Sequence, residues 1–176
     1  GTGVQIVAGN AYLSTRITGT TPSYFTVRNW PFVSGASFSD ADAKSGTKVC
    51  ILGKTVVTNL WGEGVDPVGQ TVRIKHEPFT VIGVLQEKGS NSFGQDQDDM
   101  VVTPYTTVQK KLRRSALTTI DNAMISTTSP LASRVAETQI TELMRQRHNI
   151  RPGETDDFRV RNLADVAAAA EQTTLI

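Results

Sequence analysis

Gly53-Lys54-Thr55 is the stretch whose residue types come nearest to recognisable chemistry, because a Gly-Lys-Thr at the head of a helix is how P-loop proteins hold phosphate. That loop also needs glycine at position 48, which is Lys48 here. The apolar run Val49 to Leu52 separates Gly53 from the nearest earlier glycine, Gly46. A phosphate cradle is therefore not encoded, and nucleotide binding is not expected. Asp96, Asp98 and Asp99 are carboxylates close enough in sequence to gather around calcium. The segment lacks the D-x-D-x-D-G run and the closing glutamate of an EF-hand, so it reads as a solvated loop. His76 and His148 lie in KHEP and RQRHN without a second ligand at metal-binding spacing, and both are expected at the surface.

Cys50 is the only cysteine, set inside VCIL, where it reads as a small buried thiol. A single cysteine excludes an intrachain disulfide and a cysteine-built metal site. No Gly-x-Ser-x-Gly elbow occurs. Paired carboxylates from distant parts of the chain stay open, since such dyads need not be close in sequence. Trp30, Trp61 and Tyr105 could form a ligand platform, although aromatics scattered beside strands more often fill a core. On residue chemistry alone, no catalytic, cofactor or metal site is assigned.

The elements that would position these residues are legible in the pattern. Val4 to Ala8 opens as a strand, and the first twenty residues are small and β-prone until Thr20-Thr21-Pro22. In SYFTVRNWPF, Trp30-Pro31 disfavours helix at Trp30. SDADAKSG reads as a short helical turn capped by Ser39. VCILG is a buried strand, and Val56, Val57, Leu60 and Trp61 then recur at helical spacing until Gly62 and Gly64. QTVRIK alternates as a half-exposed strand, and FTVIGVL is apolar on both faces, as a central strand is. HEP between them is not the Asn-Gly of a two-residue hairpin, so Pro78 is expected at a strand edge or bulge. Lys88 to Asp99 reads as a long exposed loop, followed by the strand MVVTP and a short helix capped by Thr106 with Val108 and Leu112 inward.

From Ile120 an exposed-edge strand is expected, then a helix capped by Ser129 with Pro130 in its first position. Its apolar stripe is Ala132, Ala136, Ile140, Leu143 and Met144. FRVRN alternates as another strand, which makes a β-α-β unit. Asn162 can cap a last, alanine-rich helix with Asp165 near its start.

Composition bounds the partners. The 176 residues are 38% hydrophobic and 20% charged, as in an ordinary globular chain, and the formal net charge is +1. No single-sign block suggests a nucleic-acid footprint or a polybasic membrane arm. No apolar run reaches the roughly 18 residues of a transmembrane helix. The opening lacks a signal peptide and an initiator methionine, and the last helix runs to Ile176, so the chain reads as an excised piece.

The succession TTPSYFTVRNWPFVSGASFSDADAKSG, VCILGKTVVTNLWGEGVDPVGQTVRIKHEPFTVIGVL, GSNSFGQDQDDMVVTPYTTVQKKL and RHNIRPGETDDFRVRNLADVA resembles the extracytoplasmic core domain of MacB-type ABC transporter permeases, across nearly the whole chain. The resemblance implies an α+β fold: a porter-like β-α-β subdomain, residues 1–21 and 113–176 and incomplete at its N-terminus, carrying an inserted mixed, β-rich subdomain, residues 22–112. It also implies a non-catalytic domain on the periplasmic side of the bacterial inner membrane. Such a domain couples cytoplasmic ATP hydrolysis to periplasmic movement and docks an adaptor protein, and through it an outer-membrane channel. The cargo would be antibiotics, peptides or other molecules. The parent would be a homodimer, and the isolated domain a monomer. The exposed loop residues Ser90, Asn91, Ser92, Phe93, Gln95 and Asp96 are the expected partner contact. Two alternatives are an adaptor-independent relative, serving lipoprotein release or cell-wall hydrolase activation, and a free-standing ligand-binding domain.

Overall fold

Strand β1 (Thr2–Ala8) buries Val4, Ile6 and Ala8 and turns Gln5 outward, the period-two pattern of a half-buried strand. The two-residue turn Gly9-Asn10 reverses it into β2 (Ala11–Thr20). Helix α1 (Ser23–Val27), β3 (Phe32–Gly35) and α2 (Asp40–Ser45) follow, then β4 (Val49–Leu52) and α3 (Lys54–Trp61). The hairpin β5 (Thr71–Ile74) and β6 (Glu77–Leu85) leads to β7 (Met100–Pro104), the short α4 (Tyr105–Thr107) and a π-helical turn, Val108–Arg113. The computed structural model describes residues 2–91, 93–113, 120–163 and 165, and the expected helix beyond Asp165 lies outside them.

The strands are ordered β3-β6-β4-β7-β2-β1-β5, and β5 pairs in turn with β6. Six strands therefore close into a ring, and β3 adds beside the C-terminal end of β6. The pairs β2–β7 and β4–β6 are parallel; the others are antiparallel. One face of the sheet gathers Ile6, Ile17, Cys50, Leu52, Val72, Ile74, Phe79, Val81 and Val101, completed by Val56, Val57 and Leu60 of α3 and by Val108 and Leu112. Fully burying side chains such as Phe79 and Ile6 contributes roughly 1.5–3 kcal/mol each. Burial also pushes the Cys50 thiol far above its ordinary range, so it is an unreactive core residue.

Ile51, Leu85, Met100 and Val102 point the other way and are covered by Tyr24, Phe25, Trp30, Phe38 and Ala43. Phe25 holds this layer together, packing on Phe32, Tyr24 and Phe38 with ring centroids 4.9, 5.5 and 6.1 Å away. Ser39 caps α2 as expected, and Asp42 returns the bond to the Ser39 amide in a capping box. Thr106 does not cap its helix. It is buried, and its hydroxyl donates to the Ala43 carbonyl at 2.6 Å, tying α4 to α2.

The β5–β6 connection differs from the sequence expectation. Ile74 pairs with Glu77, so the loop is the two residues Lys75 and His76, both at positive φ (48° and 68°). That turn matches the twist of the flanking strands but normally takes Asn-Gly. Register imposes it here, because a slip would expel Ile74 and Phe79 from the core. Pro78 sits where β6 has β5 on one side and gains β4 on the other only from Thr80 onward, the edge position its missing N–H requires.

Two compact units are formed, residues 1–124 and 125–176. Within the first unit β1 and β2 are strands of the same sheet as the rest, β2 pairing with β7 from Arg16↔Met100 to Thr20↔Pro104. In the second unit α5 (Pro130–Arg147) starts as read, with Ser129 accepting from the Ala132 amide. It ends in a Schellman turn: Asn149 takes positive φ, and the Ile150 amide donates to the Arg145 carbonyl at 2.9 Å. Arg145 then pairs with Asp156 and donates to the Arg151 and Glu154 carbonyls, holding the following segment. The strands expected before and after α5 are not formed among the described residues, because neither segment has a neighbouring strand to pair with. Phe158 and Val160 keep their alternating burial without a ladder.

Replacing Lys75-His76 by Asn-Gly is expected to raise unfolding free energy by about 1 kcal/mol, by relieving two left-handed non-glycine residues. Urea unfolding checks this; an unchanged or lower midpoint would show that the turn carries no strain.

Candidate docking loop

Between β6 and β7 the chain leaves the ring, and Asp98 closes the excursion. Its carboxylate is 2% exposed and accepts from the Lys88 amide (3.0 and 3.1 Å) and the Gly89 amide (2.6 Å). Asp96 accepts from the Thr55 hydroxyl at 2.7 Å and from the Asp98 amide at 2.8 Å. Asp99 accepts from the Thr15 hydroxyl at 2.6 Å. The three aspartates are thus anchors to backbone amides and hydroxyls and not a solvated cluster; among the described residues no group of His, Cys, Asp or Glu is arranged to hold a metal.

The Gly-Lys-Thr stretch is the dock for this loop. Gly53 caps α3 with ordinary φ (−74°), but a Cβ there would stand 2.1 Å from the Asp98 carbonyl oxygen. Close backbone approach, not phosphate, requires this glycine. Thr55, the second residue of α3, then reaches Asp96.

Above this base the tip is built on Asn91. Its side-chain oxygen accepts from the Phe93 and Gln95 amides at 2.9 and 3.0 Å, and its own amide donates to the Gln95 carbonyl at 2.9 Å. Ser90 and Asp96 form a bridge beneath it. This places Phe93 at 81% exposure on a turn fixed from both sides. Of the six residues expected to meet a partner, Ser90, Asn91, Phe93 and Gln95 are brought together at the tip and Asp96 belongs to its base; Ser92 lies outside the described residues.

Sequence reasoning missed the flank. Arg28 donates to the Gln97 side chain at 3.2 Å, and its guanidinium lies 5.2 Å from the Trp30 ring centroid. Lys88 lies 4.8 Å over the same ring and donates to the Arg28 carbonyl at 2.7 Å. Desolvation, and next the Arg28 charge, hold the Lys88 ammonium below its ordinary range. These residues are about sixty positions apart in the chain, so no local pattern announces them. Trp30 donates to the Gln86 carbonyl at 2.6 Å and lines one groove with Tyr105, while Trp61 bonds Gln70 elsewhere, so of the three suspected platform aromatics two share a groove and the third stands apart.

The family model described as the MacB-like periplasmic core domain matches residues 2–143. A macrolide export ATP-binding/permease protein MacB from Syntrophobacter fumaroxidans is 31% identical, over 96% of this chain and 31% of that protein. A pyoverdine export ATP-binding/permease protein PvdT from Pseudomonas entomophila is 32% identical, over 97% of this chain and 25% of that protein. The chain thus spans less than a third of these relatives. The crystal structure of the periplasmic region of MacB from Actinobacillus actinomycetemcomitans superposes with a TM-score of 0.71 at 24% identity, covering 97% of this chain and 72% of that one.

Asp98→Ala is expected to cost about 1–3 kcal/mol by stripping two backbone amides of their acceptor. Gly53→Ala should cost a similar amount by forcing the loop base off α3. The two together should cost less than their sum, since each frees the same base. Urea unfolding of the three variants checks this; a harmless Gly53→Ala would contradict the close approach.

Proposed function

The chain belongs to the family of MacB-like periplasmic core domains, and from that premise we propose that it is the extracytoplasmic domain of an ABC export permease, on the periplasmic side of the bacterial inner membrane, that docks an adaptor protein through the β6–β7 loop. The domain makes and breaks no bonds. It transmits movement driven by ATP hydrolysis elsewhere in a dimeric parent to the periplasmic side, where the adaptor leads to an outer-membrane channel. The cargo class follows the relatives, whose names speak of macrolide and pyoverdine export. No described helix is long and apolar enough to cross a membrane.

One observation carries the docking assignment: Phe93 is 81% exposed on a turn whose base is fixed by Asp96, Asp98 and Asp99. A pre-ordered aromatic loses little conformational freedom on binding, and such side chains dominate interface energetics. Removing the whole loop is a poor test, since it also removes the buried Asp98 carboxylate.

Phe93→Ala in the full-length permease is expected to weaken binding of the purified cognate adaptor by about tenfold or more. The thermal midpoint should not move, because the side chain supports nothing beneath it. Surface-capture affinity measurement checks this. Unchanged affinity would remove the loop as the contact, and an adaptor that binds neither form would favour the adaptor-independent relatives.

A further inference from the structure

A groove of about 810 Å³ opens on the first unit beside the docking loop. Arg16, Tyr24, Arg28 and Trp30 line one part of it, and Met100 and Gln97 another. Ile120 and Met124, 77% and 52% exposed, stand along its lip. The volume is that of a site for a small molecule. Its walls mix apolar and aromatic side chains with polar ones; its charged residues are Arg16 and Arg28, with Asp96, whose carboxylate is engaged by the Thr55 hydroxyl and the Asp98 amide, and Asp121.

The two arginines are spent on neutral oxygens. Arg28 donates to the Gln97 side-chain oxygen at 3.2 Å, and Arg16 donates to the Asp96 carbonyl at 3.1 Å. Among the described residues neither guanidinium has a carboxylate within ion-pair distance. Arg28 is half-buried on the faces of Tyr24 and Trp30, 5.7 and 5.2 Å from their centroids, so its plane is fixed before any ligand arrives. Both positive charges also reach the Tyr24 hydroxyl, where they oppose the upward push of burial. A guanidinium offers five N–H donors in a fork that matches a planar carboxylate. The charge, the donors and the adjoining apolar wall point to one kind of occupant.

We propose that this groove binds a small amphipathic carboxylate, its carboxylate held by Arg28 and Arg16 and its aliphatic or aromatic body laid along Tyr24, Met100 and the Ile120–Met124 lip. Gln97 yields Arg28 to the incoming carboxylate, so occupancy is felt at the base of the loop. The groove shares Asn91, Gln95 and Asp96 with the docking loop but not Phe93, so carboxylate binding is read directly at the groove and does not require an adaptor.

The test is titration of this 176-residue chain with octanoate, followed by amide and indole N–H shifts in two-dimensional NMR. Inorganic phosphate serves as the anion without a body, and octyltrimethylammonium as the body with opposite charge. Octanoate is expected to give saturable shifts at the Trp30 indole and Gln97. Those shifts should weaken by about tenfold or more in Arg28→Gln and in Arg16→Gln, the second being a surface change that spares the aromatic stack. Core resonances unchanged in the variants show that the fold is intact. The proposal is overturned if octanoate gives no saturable shift, if either the cation or phosphate alone binds as tightly, or if neither substitution weakens binding.

Discussion

Strand β6 has three neighbours, and the first unit is arranged around satisfying all of them. Its first residues pair with β5, β4 takes the opposite side from Thr80, and β3 takes the side that β5 leaves from Gly83 onward. A backbone bonded on both sides leaves no open edge, so the strand's side chains must suit an apolar layer on each face. Phe79 and Val81 go to one layer and Leu85 to the other. The exposed edge that remains is β3, four residues long and interrupted by a register shift between Phe32 and Ser34, which makes it a poor template for another chain. Gly35 lets that edge approach: a Cβ would stand 2.0 Å from the Ile82 carbonyl oxygen.

The loop beside this ring shows how an acidic, glycine-rich sequence becomes ordered without a metal ligand set. A carboxylate accepts from several donors at once, and backbone amides in a turn supply them at short range. Asp98 closes the loop ends, Asp96 ties the loop to α3, and Asp99 ties it to β2. Order is therefore concentrated at the base, and the exposed aromatic inherits it through Asn91.

Sequence patterning captured most of what depends on near neighbours. Ser39 and Ser129 cap their helices, the strands alternate where they are half-buried, and Val108 and Leu112 face inward, because each follows from residues a turn or two away. The α+β class and the family were readable from the order of segments. What escaped depends on distant partners. Thr106 has a hydrogen-bond acceptor sixty-three positions away, a pull that local capping statistics do not contain. Lys75-His76 bends against its residue types because Ile74 and Phe79 are both committed to the core. The segments flanking α5 carry strand-like alternation, but alternation specifies a surface and not a partner. Gly53 was visible as a glycine at a helix start, where Ser, Thr or Asp is the commoner cap, and that departure was the available sign of a crowded backbone.

The parallel pairing of β2 with β7 joins residues about eighty positions apart, and the ring cannot close until both are present. Contacts of that separation must meet the entropy of closing a long loop before any of their hydrogen bonds form. The β1–β2 hairpin is made early and locally, yet one side of β2 has no mate until the last strand of the ring has left the ribosome. A chain interrupted before β7 therefore carries an open, pairing-competent edge on β2.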